Sequence, residues 1–273
     1  MKKTNLLIAI SAVTLSLSCV TTGPGGDTSL IIISDEEEVA IGKEVDADLR
    51  SKEKIFGDAQ WQSYLNEVGQ KIVKVCDRQE IEYHFTVIES DQINAFATPG
   101  GYVYFYTGLL SLMDNEAEMA AVMAHEISHV VARHSVKHLQ KALGIQLLAS
   151  VALGEKSAGT LGQITGVLAG LWLNGYGRTY ELQADEYGVF YMKEAGYNPD
   201  GARTMFYKLA TLSGGGEQGW FEKLTSSHPD TQERLLKIDA QIAAMPRSVD
   251  NLPKNQERYS TMKKRLPKPA SNK

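Results

Sequence analysis

The run His125-Glu126-Ile127-Ser128-His129 constrains this chain more than any other five residues. Met119-Ala120-Ala121-Val122-Met123-Ala124 precedes it and Val130-Val131 follows, a stretch that reads as a helix apolar nearly all round. Residues four apart on a helix sit about 40° apart around its axis, so both imidazoles can hold one metal ion from adjacent turns. Glu126 lies on a nearby bearing, too short to join the ligands comfortably but able to reach a water that the metal activates. Two histidines with a carboxylate base form the arrangement of a zinc hydrolase. The bland alternative is an amphipathic helix that happens to carry two histidines. A helix this apolar is buried, and two buried imidazoles and a carboxylate need partners, which a metal supplies. A structural zinc site is disfavoured: it leaves Glu126 without a purpose, and such sites more often use cysteines.

Bulk properties narrow the rest. The 273 residues are 43% hydrophobic with a formal net charge of -5. That suits one sizeable core, and the mild acidity argues against a nucleic-acid partner. Lys2 and Lys3 followed by an apolar stretch from Leu6 to Leu17 read as a secretory signal over residues 1–18, too short to span a membrane. Leu15-Ser16-Leu17-Ser18-Cys19 resembles a bacterial lipoprotein cleavage site, with Ser16 where an apolar residue is usual; ordinary cleavage nearby is the alternative. Lipid on Cys19 would tether the protein to a membrane and leave Cys76 as the remaining thiol, a small hydrophobe ending a helix with no disulfide to form.

Residues 19–33 read as a flexible tether and 34–245 as one domain. Ser34 with Glu37 forms a capping box for a helix to about Leu49, and a second amphipathic helix covers about Ala59 to Val75. Strands are expected over Ile81–Ile88, Asn94–Thr98 and Tyr102–Tyr106, with Pro99-Gly100-Gly101 breaking the last two apart. The motif helix starts near Asp114 or Asn115. The apolar, glycine-dotted region from Leu143 to Leu173 reads as a helical hairpin on the core, or alternatively as a flap facing membrane or substrate. Further helices are expected near Tyr180–Ala195, Pro199–Leu212 and Pro229–Ala244, and the basic, proline-dotted tail 246–273 reads as disordered. The fold class is α+β, mainly helical, with a small antiparallel sheet beside the motif helix.

A catalytic zinc takes three protein ligands and keeps one position open. His84, His134, His138, His228 and several carboxylates are candidates for the third. Continuing the helix places His134 and His138 roughly opposite His125 and His129, at the surface or the helix end. Glu181-Leu182-Gln183-Ala184-Asp185 opens a helix with Glu181 and Asp185 on one face, a pattern that alone is usually a solvated face.

Several motifs together, from about Asp35 to Ala244, resemble the CAAX-prenyl-protease and β-barrel-assembly-enhancing-protease group of gluzincin metallopeptidases. His125-Glu126-Ile127-Ser128-His129 is followed by Arg133-His134; Glu181-x-x-Ala184-Asp185 looks like the family's third-ligand motif; Asn94-Ala95-Phe96-Ala97 with Pro99-Gly100-Gly101 resembles its substrate-side strand; Ser227-His228-Pro229 with Arg234 resembles its C-terminal motif. The resemblance implies a zincin-like fold and one zinc ion on His125, His129 and Glu181. Glu126 becomes the general base, Asp185 orients a ligand and pairs with Arg234, and His228 stabilises the oxyanion or contacts substrate. Asn94, Ala95, Phe96 and Ala97 pair with extended substrate backbone. Cobalt or manganese would also suit these ligands. The prenyl-protease branch is polytopic, and this sequence has no span, so it looks closer to small envelope lipoprotein members. That implies an endopeptidase acting on unfolded or misassembled envelope polypeptides from the periplasmic side, anchored to the outer membrane by lipid or soluble in the periplasm. The alternative is a chaperone-like protein that uses the same groove with proteolysis latent.

Overall fold

The Ser34 hydroxyl accepts from the Glu37 backbone nitrogen while the Glu37 carboxylate accepts from that of Ser34, so helix α1 (Asp35–Lys52) opens on a capping box. Asp58 caps α2 (Ala59–Val73) by accepting from the nitrogens of Gln60 and Trp61. The computed structural model describes residues 18–22, 27–31, 33–152, 158–213 and 231–268.

An N-terminal antiparallel pair, β1 (Ser18–Thr22) and β2 (Asp27–Ile31), occupies the segment expected to be a tether. Ile31 and Ile33 are buried in one cluster with Ile41 and Val45 of α1, because side chains this apolar gain more from the core than from water. The central sheet holds β3 (His84–Ile88), β4 (Ala95–Thr98) and β5 (Tyr102–Tyr106) in the order β3-β5-β4. It is mixed rather than wholly antiparallel. The turn through Pro99-Gly100-Gly101 makes β4 and β5 a hairpin, whereas β3 runs parallel to β5 and reaches it only across β4 in sequence. Such pairing depends on tertiary contacts that a strand pattern does not carry. Helix α1 crosses this turn at Gly42, where a Cβ would lie 2.0 Å from the Pro99 carbonyl oxygen.

A short helix not foreseen in the sequence, α3 (Thr107–Leu112), leads to the motif helix α4 (Glu116–Val131), which Asn115 caps through the Glu118 nitrogen. Helices α5 (His134–Ala152) and α6 (Ala158–Asn174) form the expected hairpin, and α5 turns sharply at Gly144. Then come α7 (Arg178–Glu194), α8 (Asp200–Ser213) and α9 (Thr231–Ala243). Helix α4 is enclosed by α2, α7, α8 and β4, and every described position of it except Val122 is buried.

The C-terminal stretch is packed, not disordered. After α9 a 3₁₀ turn (Arg247–Asn251) leads to α10 (Gln256–Lys263). Tyr259 is fully buried and donates to the Leu110 carbonyl at 2.6 Å, and Trp61 Nε1 donates to the Met262 carbonyl at 2.8 Å. The proline and basic content gives the segment its disordered look in sequence, while Tyr259, Met262 and Leu266 supply the apolar contacts that hold it and Lys263 donates to the Met113 carbonyl at 2.7 Å. No helix among the described residues is long and apolar enough to cross a membrane.

Candidate metal centre

Helix α4 presents His125 and His129 from adjacent turns, and the first turn of α7 brings Glu181 to meet them. His125 Nε2 lies 3.0 Å from His129 Nε2 and 3.4 Å from the Glu181 carboxylate, which is 3.6 Å from His129 Nε2. One donor atom from each of the three lies within 4.8 Å of the others, and all three residues are buried. Two imidazole nitrogens and one carboxylate oxygen converging out of water form a donor set suited to a divalent transition metal, so the residues fit the ion that the sequence implies. His84 instead stacks on Tyr102 and His138 sits half-buried on α5; neither joins the cluster.

These three side chains are themselves held. His125 Nδ1 lies 2.9 Å from the Asp185 carboxylate, one turn along α7 from Glu181. Arg234 of α9 clamps Asp185 with two hydrogen bonds of 2.7 and 2.8 Å and reaches Glu181 at 3.0 Å. Burial alone would raise the Asp185 pKa, but Arg234 and then His125 outweigh it and hold the carboxyl below its ordinary value. Burial alone would lower the His125 pKa; Asp185 and Glu181 outweigh it and push the group up to about 9. The local field therefore favours positive charge where the two histidines meet.

His134 is not at the surface. It is fully buried, with Nδ1 2.8 Å from His129 Nδ1 and Nε2 2.7 Å from the Gln183 amide oxygen. The expectation failed because it assumed one continuous helix. Helix α4 stops at Ala132, and Arg133 adopts φ 54°, the left-handed region, which turns His134 back toward the site. The Arg133 guanidinium meets the buried Glu38 carboxylate at 2.7 Å and donates to the Ile33 carbonyl at 2.7 Å, holding this conformation from outside. Burial pushes His134 down to about 3, so it is neutral. Tyr176 also escaped the sequence reading: its ring stacks on His129 at 4.0 Å and its hydroxyl bonds Ser135 at 2.7 Å. The Arg133-His134 pair beside the motif was the available signal for His134; Tyr176 had none.

Glu126 is buried and lines, with His125, an apolar pocket whose other walls include Asn94, Ala95, Met205 and Phe206. Asn94 and Ala95 thus stand beside His125, Asn94 just before edge strand β4 and Ala95 at its start. Phe96 is turned away into a stack with Tyr104 and Trp172, and the Ala97 carbonyl accepts from the Tyr176 hydroxyl at 3.4 Å. His228 lies outside the described residues, as does the side chain of Cys19.

The sequence profile of Peptidase family M48 matches residues 59–242, which contain His125, Glu126, His129, His134, Glu181, Asp185 and Arg234. The chain belongs to peptidase family M48. Its M48 domain resembles the β-barrel assembly-enhancing protease of Escherichia coli (strain K12), 32% identical over 190 residues, 65% of this chain and 38% of that protein. It also resembles the mitochondrial metalloendopeptidase OMA1 of Schizosaccharomyces pombe, 31% identical over 178 residues, 64% of this chain and 51% of that protein. The match to the metalloprotease LoiP of Escherichia coli (strain K12) is 27% identical over 256 residues, 89% of this chain and 98% of that protein. The chain thus spans 38% to 51% of the first two relatives and nearly all of the third. An M48 metallopeptidase domain carries a divalent metal, and the described residues offer it His125, His129 and Glu181.

Proposed function

We propose that the chain is a zinc-dependent endopeptidase that hydrolyses peptide bonds in unfolded or misassembled polypeptides of the bacterial cell envelope. The convergence of His125, His129 and Glu181 beside Glu126 carries this reading. Bound there, zinc supplies Lewis acidity, which makes water acidic near neutral pH and polarises a carbonyl. Asp185 and Arg234 hold His125 and Glu181 in place. Glu126 takes a proton from the water that attacks the scissile carbonyl carbon and delivers it to the leaving nitrogen as the C–N bond breaks. The backbone near Asn94 and Ala95 pairs with extended substrate, which reads no sequence and so suits unfolded chains. The apolar pocket beside Glu126 takes a substrate side chain.

Envelope placement rests on the signal-like N-terminus, on Cys19 as a lipid acceptor and on the likeness to relatives named for β-barrel assembly. A second reading has its own support: the Tyr176 hydroxyl occupies the Ala97 carbonyl, and Trp172 of α6 lies on Phe96 at 4.7 Å, so the hairpin already covers part of β4. On that reading the groove binds unfolded chains with proteolysis latent. Casein cleavage by the purified chain, with and without chelator and beside Glu126→Gln, decides. The endopeptidase reading expects cleavage that chelator abolishes, zinc restores and Glu126→Gln lacks while still binding zinc. Full turnover by Glu126→Gln contradicts the mechanism, and binding of casein without cleavage favours the latent form.

A further inference from the structure

Asp185 meets the far nitrogen of one histidine ligand, whereas the far nitrogen of the other is met by a third histidine. His129 Nδ1 lies 2.8 Å from His134 Nδ1, and His134 Nε2 lies 2.7 Å from Gln183 Oε1. Gln183 Nε2 donates to the Tyr187 hydroxyl at 3.1 Å, which turns the amide oxygen toward His134. The His134 ring is fully buried and lies nearly flat against Tyr180 at 4.3 Å, so its plane is fixed.

Protons satisfy these contacts in one order. An amide oxygen only accepts, so His134 Nε2 carries its N–H. A neutral imidazole then has its lone pair at Nδ1, so His129 Nδ1 is the donor between the two rings. With its proton at Nδ1, His129 presents a lone pair at Nε2, the atom 3.0 Å from His125 Nε2 and 3.6 Å from the Glu181 carboxylate. The opposite order would put a proton on that atom and block a metal.

We propose that His134 is a positioning residue for the metal, locking His129 in the tautomer that directs a lone pair into the site, with Gln183 locking His134 in turn. The inference rests on the metal-site reading above. It makes the two histidine ligands unequal: Asp185 backs His125 with negative charge, while His134 gives His129 only direction. It also gives the left-handed turn at Arg133 a purpose, since an uninterrupted helix would carry His134 to another bearing.

The test is zinc affinity of the full chain, by competition with a chromophoric chelator, for His134→Phe and His134→Asn, with the visible spectrum of the cobalt-loaded proteins and the thermal unfolding of each chelator-treated variant. Phe keeps a ring on Tyr180 but removes the acceptor; the Asn side-chain oxygen takes the place of Nδ1. The expected result is about 10–100-fold weaker zinc binding with a shifted cobalt spectrum for Phe, and recovery to within about threefold with a wild-type-like spectrum for Asn. If the Phe ring is not tolerated, Gln183→Leu against Gln183→Glu makes the same comparison one step further out, with Glu retaining affinity and Leu losing it. Affinity unchanged in the acceptor-deleting variants overturns the proposal, as does an equal loss in each pair, which would mark a packing effect. Wild-type protein that takes up no zinc removes both this inference and the metal-site reading. Wild-type protein that binds zinc beside a Phe variant that binds it as well removes this inference alone.

Discussion

Gly188 of α7 lies directly against the backbone of His125: a Cβ built on it would stand 3.0 Å from the His125 nitrogen and 3.2 Å from its Cα. That close approach lets α7 bring Glu181 and Asp185 within reach of the α4 imidazoles. Backbone cannot yield as a flexible side chain does, so Gly188→Ala must push the two helices apart. The expected cost is about 1–3 kcal/mol of stability, with weaker zinc binding beside it. Thermal unfolding and zinc titration of the variant check this, and a variant unchanged in both would show that the helix separation does not matter.

Glu38 holds the other end of α4. Its carboxylate accepts from Arg78 at 3.0 and 2.9 Å and from the Gly100 nitrogen at 3.2 Å, and it meets Arg133 at 2.7 Å, all out of water. Removing a buried charge from such a cluster leaves its partners uncompensated, so Glu38→Gln is expected to cost about 3–5 kcal/mol. Because the cluster secures Arg133, zinc affinity should fall as well. Urea unfolding with a shift under about 1 kcal/mol would count against this role.

His125 gives metal binding a particular pH dependence. Its pKa is raised to about 9, so the proton is still held at neutral pH and competes with a metal for the ring. Apparent zinc affinity should therefore strengthen as the pH rises, by about tenfold per unit, until about pH 9, where it levels. An ordinary histidine would level near pH 6.5. Competition titrations across this range separate the two, and a flat profile above neutrality would mean that Asp185 and Glu181 do not raise His125.

The C-terminal strap is an integral part of the fold. Truncating Tyr259, fully buried between Trp61 and Tyr64, should cost about 3–5 kcal/mol on mutation to alanine. A disordered tail would make Tyr259→Ala silent in thermal unfolding.

These cases show where sequence reasoning reaches and where it stops. Local patterns were legible: the capping box at Ser34 and Glu37, a cap at Asp114 or Asn115 (the structure uses Asn115) and the spacing of His125 and His129 are each settled within one or two helical turns. Asp185 and Arg234 meet across 49 residues, and only resemblance to a family pointed to their pairing before the coordinates did. His134 was misplaced because one residue, Arg133, leaves the helical region under the pull of Glu38, which lies 95 residues earlier in the chain. The strap was misread because the burial of Tyr259 depends on Trp61 and Leu110, nowhere near it in sequence.

The proposed hydrolysis requires His125, His129 and Glu181 to hold one divalent metal together. Zinc content of the purified chain, after dialysis and beside His129→Ala and Glu181→Gln, tests it most directly. About one zinc per wild-type chain is expected, with near-complete loss in both variants and each variant still folded. Stoichiometric zinc retained by Glu181→Gln, or none bound by the wild type, would contradict it.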